Sequence, residues 1–272
     1  MAKTKLLVTV MTYPTLSEKY DELVCTAGLK EDGTWIRIFP VPFRKLDPYN
    51  QYHKYDWIEV DLMKNPNDFR PESYRPVQLG NDINIVGHMG TGKNRDWEER
   101  KSFILSHVYT NMTTLLKEKA EKGTSLAVVK ANILDFKIEP GERDWNPKKL
   151  AIVKANQNQL DLFEQKEVFE VVKKIPYDFS YTFTTDDGIK RTLMIEDWEL
   201  GKLYYNCLKN ANGNEEVACQ KVKEKYFDEF ISNKDLYLYL GTTKQWHNIS
   251  PNPFIVIGTF YPPKPDGQLS LF

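Results

Sequence analysis

Two carboxylates and two guanidiniums fall within ten residues in Asn67-Asp68-Phe69-Arg70-Pro71-Glu72-Ser73-Tyr74-Arg75-Pro76, a stretch stiffened by its prolines. Carboxylates with arginines suit metal-assisted or acid–base phosphodiester chemistry, so Asp68, Glu72, Arg70 and Arg75 are candidate catalytic residues. Mg2+ is expected only if that chemistry operates; otherwise no cofactor is implied. The same four side chains equally suit a loop salt-bridge network with no chemistry.

A second stretch, Gly87-His88-Met89-Gly90-Thr91-Gly92-Lys93, has the Gly-x-x-x-x-Gly-Lys spacing of a phosphate loop between a predicted strand and a predicted helix. Asn94 follows where a Ser or Thr hydroxyl would ligate magnesium, which argues against nucleotide hydrolysis. Lys93 remains a candidate for holding a phosphate on a glycine-rich turn. Trp35, Arg37, Arg44 and Lys54, with Tyr52, combine aromatic and basic side chains, as where bases stack and phosphates are neutralised. Alternation puts Trp35 and Arg37 on one strand face, which reads as a nucleic-acid surface if open and as core if covered. Gly241–Asn248 is a polar aromatic loop able to contact a ligand or simply to connect two strands. His53, His88, His107 and His247 are scattered, and Cys25, Cys207 and Cys219 form no Cys-x-x-Cys pair, so no metal site is expected.

The most specific pattern is a duplicated pentapeptide: Gln268-Leu269-Ser270-Leu271-Phe272, and Gln159-Leu160-Asp161-Leu162-Phe163 in the interior. In extended form such a segment offers adjacent apolar anchors and an orienting amide. Burying a Leu and a Phe contributes about 1.5–3 kcal/mol each, opposed by the ordering of the segment, so micromolar binding is the natural expectation. Tyr261–Gly267 is rich in proline and precedes the terminal copy as a tether; the internal copy follows a helix-like run, where Leu160 and Phe163 equally suit one face of a packed helix. Both copies resemble the peptide by which bacterial polymerases, repair proteins and mobile-element proteins dock on the DNA sliding clamp, which implies that clamp as partner. Further stretches (Lys19–Gly28, Arg70–Tyr74, Asp197–Leu200, Phe260–Lys264) resemble a family of bacterial proteins of about this length, which implies no particular activity.

These residues must be positioned by a body of 272 residues with 41% hydrophobic content, enough for one large domain or two small ones. Lys+Arg 37 against Asp+Glu 38 leaves a net charge of −1, so any nucleic-acid surface is a local patch. Leu6–Met11 is too short for a signal segment or a membrane span, and an odd cysteine count fits a reducing cytoplasm. Asp32-Gly33 and Asp186-Asp187-Gly188 mark hairpins. A long helix is expected from Asn94 or Asp96 through about Lys122, with Phe103, Leu105, Val108, Met112, Leu115 and Leu116 on its face.

The expected fold is α+β, mainly antiparallel sheets with that long central helix and two helices in the C-terminal third. Its expected divisions are an N-terminal half 1–138, a linker or surface excursion 139–166, a C-terminal half 167–260 and a tail 261–272. The expected function is that of a cytoplasmic bacterial or phage-related protein recruited to DNA through the clamp, its body binding or sensing nucleic acid in replication, repair or antiviral defence. The alternatives are a nuclease or nucleotide-processing enzyme and a non-catalytic adaptor; the residues leave open whether it is an enzyme.

Overall fold

The computed structural model describes residues 3–78, 83–164 and 169–264, and the side chains among these except 158–164. The first half is built on alternation. Strands β1 (Thr4–Met11), β3 (Asp21–Lys30) and β4 (Trp35–Val41) form a meander, with the short β2 (Thr15–Ser17) paired to β3. Asp32 and Gly33, the latter at φ 77°, make the β3–β4 turn. Two single-turn helices, Phe43–Lys45 and Pro48–Asn50, lead to β5 (Asp56–Val60), which bends at Asp61 into β6 (Leu62–Lys64). β7 (Ser73–Pro76) and β8 (Asn84–His88) then run along that bent strand.

The pairings close a ring. β1 is antiparallel to β3 and to β5, β3 is antiparallel to β4, β4 is parallel to β7, and β7 is antiparallel to β6. Taking β5–β6 as strand four and β7–β8 as strand five, the order around the ring is 1-2-3-5-4, that of the five-stranded Greek-key barrel called the OB-fold. Leu6, Val8, Ile36, Ile38, Ile58 and Val60 fill it.

The expected long central helix is not present. It divides into α1 (Glu98–Ile104), β9 (Val108–Tyr109) and α2 (Met112–Lys122). The reason lies in its apolar residues: Phe103 and Leu105 pack into one core, Met112 and Leu115 into another, so no straight helix could serve both. Asn111 starts the second piece, its side chain accepting from Thr114 N at 3.1 Å, and Gly123 at φ 75° ends it.

The second half repeats the barrel. β10 (Leu126–Lys130) continues into β11 (Asn132–Pro140); after α3 (Pro147–Glu164) come β12 (Tyr177–Thr184) and β13 (Arg191–Met194). α4 (Trp198–Asn210), α5 (Glu215–Lys223), a π-helical turn Glu224–Glu229 and α6 (Phe230–Asn233) precede β14 (Tyr237–Thr242) and β15 (Phe254–Phe260). β11 pairs with β12, β12 with β13, β10 with β14 and β14 with β15, all antiparallel, while Ile195 bridges Val256 in parallel. With β10–β11 as strand one, the order is again 1-2-3-5-4. The chain is therefore α+β but dominated by two curled sheets. The strand pairings put β10 and β11 with the C-terminal strands, and α3 occupies most of the stretch expected as a linker.

Between the barrels lies a third core: Leu7, Val10, Ala27 and Leu29 from the first meet Leu126, Val128, Tyr239 and Ile257 from the second. Full burial of each large aliphatic side chain contributes about 1.5–3 kcal/mol, so neither barrel is suited to leaving this face in water. Within the first barrel, β3 runs so close to β1 that a Cβ on Gly28 would sit 2.1 Å from Leu7 O. Among the described residues no helix is long and apolar enough to cross a membrane.

Candidate functional site: two apposed loops

In each barrel a loop joins strands four and five: Asn65–Glu72 in the first and Thr243–Pro253 in the second, at the ends of β6 and β14. The two loops lie together because a buried polar clasp crosses the barrel interface. Arg37, pointing outward from β4, donates to Ser125 Oγ at 2.7 Å and to Ser125 O at 3.2 Å. Glu72 accepts from Ser125 N at 2.9 Å and from Ser125 Oγ at 2.8 Å, and Arg70 donates to Thr242 O. Asp68 accepts from Arg70 Nε at 2.9 Å and from Ser73 Oγ at 2.8 Å. Burial pushes the Asp68 carboxyl up, but the hydrogen bonds from Arg70 and Ser73 outweigh it and hold the group at about 2.

Three of the four candidate catalytic residues thus meet, in a structural role. Every carboxylate oxygen of Asp68 and Glu72 accepts a hydrogen bond from protein. Arg75 stands apart on β7, opposite Met63, with its buried Nε unpaired. Among the described residues, no group of three or more His, Cys, Asp or Glu side chains could hold a metal ion.

The expected aromatic and basic surface is dispersed. The face carrying Trp35 and Arg37 is covered by the second barrel: Trp35 packs edge-on against Tyr239, centroids 6.0 Å apart, and Arg37 is buried in the clasp. Arg44 pairs with Glu22 at 2.9 Å, and Lys54 with Glu199 at 2.7 Å. Lys93 is exposed on a turn that is not a phosphate loop. α1 starts five residues later, behind Trp97 in the left-handed region at φ 60°, and the turn uses the N–H groups of Arg95 and Trp97 internally. No helix N-terminus is presented at Lys93.

What the clasp does present is a pair of aromatic side chains. Phe69 is 57% exposed between the buried Asp68 and Arg70, and Trp246 is 47% exposed beside the buried His247. The Phe69 and His247 rings lie 5.5 Å apart, and His247 is fixed by Thr242 Oγ1 at 2.8 Å. Burial, followed by the charges of Lys119 and Arg70, lowers the His247 pKa, which favours the neutral ring. Gly123, at the end of α2, lies against Pro71, which brings the last turn of that helix, with Lys119, beside the first loop. Lys64 and Lys244 are exposed on the flanking strand and loop. Phe69 was not singled out from sequence, and Trp246 entered only as part of the loop Gly241–Asn248, read as able to contact a ligand or simply to connect two strands. The available signal was a large aromatic flanked by polar residues inside a loop, Asp68-Phe69-Arg70 and Gln245-Trp246-His247.

The terminal pentapeptide Gln268–Phe272 lies outside the described residues. The backbone of Gln159–Phe163 runs within α3; its side chains lie outside the described set, and with them the choice between a displayed peptide and a packed helix face.

Fold and site together define a tandem OB-barrel protein whose strand four–five loops are clasped into one edge. Residues 107–272 match the family described as Domain of unknown function (DUF8757), and the chain belongs to that family. Residues 2–106 match Domain of unknown function (DUF8758), so the two matches meet between α1 and β9, where the barrels divide. No curated protein matches the chain.

Proposed function

We propose that this is a nucleic-acid-binding protein that contacts single strands through the edge formed by the two loops and reaches DNA through docking of Gln268–Phe272 on the sliding clamp. The observation that carries the first part is the exposure of Phe69 and Trp246 on apposed loops, with Lys64, Lys119 and Lys244 around them. OB barrels take oligonucleotides on the face of strands two and three and on the loops flanking it; this support is by analogy of fold. In the first barrel that face is occupied by its neighbour, which leaves the loops. The aromatic rings serve as stacking platforms and the lysines neutralise phosphates. The second part rests on the sequence of the terminal peptide alone.

Stacking on an aromatic side chain contributes about 1–3 kcal/mol per base, so Phe69→Ala and Trp246→Ala should each weaken binding of a labelled oligothymidine by roughly 5- to 150-fold in an anisotropy titration. Lys119→Ala should make the salt dependence shallower by about 0.7 in log–log slope, the value for one phosphate contact on a single strand. Unchanged affinity in both aromatic variants, with unchanged melting, would remove the edge as the contact. Deleting Gln268–Phe272 should weaken clamp binding at least tenfold while oligonucleotide binding stays constant; equal clamp affinity would reject the docking peptide.

A further inference from the structure

A cavity of about 810 Å³ lies between the connection of strands three and four of the first barrel and the start of α4, within the size range of ligand pockets. Its apolar wall is aromatic. Trp198 is held edge-on by Phe43, with centroids 5.5 Å apart, and tilted against Tyr13 at 6.4 Å, while Tyr52 and Met11 continue the wall. Its floor is charged: the largely buried Lys54 donates to Glu199 Oε2 at 2.7 Å and to Thr259 O at 2.6 Å. Behind it, Asp197 accepts from Glu199 N at 3.1 Å and from the Tyr226 hydroxyl at 3.0 Å. Its rim carries Lys202 and His53, both exposed; Lys202 Nζ is 5.9 Å from the Trp198 ring centroid.

Three chemistries converge on one space. The indole wall suits a planar ring; Glu199, its side chain 41% exposed although Lys54 holds one oxygen, can accept from hydroxyl groups; the Lys202 ammonium, with the His53 ring on the same rim as a hydrogen-bonding group, suits an anionic group. A ring, vicinal hydroxyls and an anion in one small molecule describe a ribonucleotide. We propose that this cavity binds a ribonucleoside monophosphate, its base against Trp198, its ribose hydroxyls on Glu199 and its phosphate toward Lys202 and His53. The site is separate from the loop edge. Thr259, which Lys54 contacts, and Phe254, where the second loop ends, lie at opposite ends of β15, roughly 17 Å apart at the rise of an extended strand.

The full chain is titrated in turn with adenosine, guanosine, cytidine and uridine monophosphates by calorimetry. At least one should bind with a Kd below about 1 mM. Its 2′-deoxy counterpart should bind several-fold more weakly, and equal binding would overturn the ribose contact. Lys202→Glu, at an exposed position, and Trp198→Phe, which keeps a ring in the wall, should each weaken binding tenfold or more; Phe69→Ala should leave it unchanged. No binding by any of the four, or binding that Lys202→Glu leaves intact, overturns the proposal. Loss of binding in Phe69→Ala would move the ligand to the loop edge and overturn it as well.

Discussion

The cap position of Asp197 and its burial pull its charge in opposite directions. As the N-cap of α4, where its side chain accepts from Glu199 N, it is best ionised. Its surroundings were not legible in the sequence, because they come from distant segments. Burial and the nearby Glu199 charge push its pKa up to about 7, against the opposing effects of Lys54 and Tyr226. An unfolded chain would release this proton near pH 4, so between about pH 4 and about 7 the folded state holds it more tightly. The group's stabilising contribution is therefore full below about pH 4 and is lost as pH rises through about 7. Urea midpoints should fall between pH 5.5 and pH 8.5, and Asp197→Asn, which retains a capping oxygen, should flatten that fall. Equal slopes in the two proteins would place the titration elsewhere.

At the scale of elements, the Asn65–Glu72 loop is a part whose shape is set from outside itself. Asp68→Ala would leave the Arg70 guanidinium buried, 7% exposed, without its carboxylate, and breaking a buried pair in this way costs about 3–5 kcal/mol. The check is a denaturant midpoint, with no change pointing to a pair of little consequence. Because the Asp68 pKa is depressed, the contribution of the pair is present above about pH 4 and lost as pH falls toward about 2. Local signals read the hairpins well: Gly33 and Gly188 occupy positive-φ turn positions at 77° and 68°, where Asp-Gly chemistry placed them. They failed where one apolar run served two cores, as between Phe103 and Leu115. They also failed for the parallel pairing of β4 with β7 and the bridge of Ile195 to Val256, which join residues far apart in sequence. Those two contacts help turn sheets into barrels, so the barrel could not be read from periodicity. The site suffered likewise: Trp35 and Arg37 alternate as expected, but only the second barrel decides that their face is covered.

At the scale of the whole molecule, the two barrels depend on one another. Residues 1–106 alone would expose Leu7, Val10, Ala27 and Leu29, all at most 2% exposed in the full chain, on one face. Expressed separately, this half should self-associate on size exclusion, and co-expression with residues 107–272 should recover a single species of the mass of the intact chain. A monodisperse, folded 1–106 would show the interface to be dispensable. The clasp through Arg37, Arg70, Glu72 and Ser125 has a metrical consequence. Phe69 and Trp246 are rooted in different barrels, yet the distance between them is set by protein interior and not by whatever lies across them. If a single strand lies on both rings, as proposed above, it must come to that spacing. The pair would then act as a fixed gauge, passing those backbones whose bases fall at the right interval and registering all others as strain.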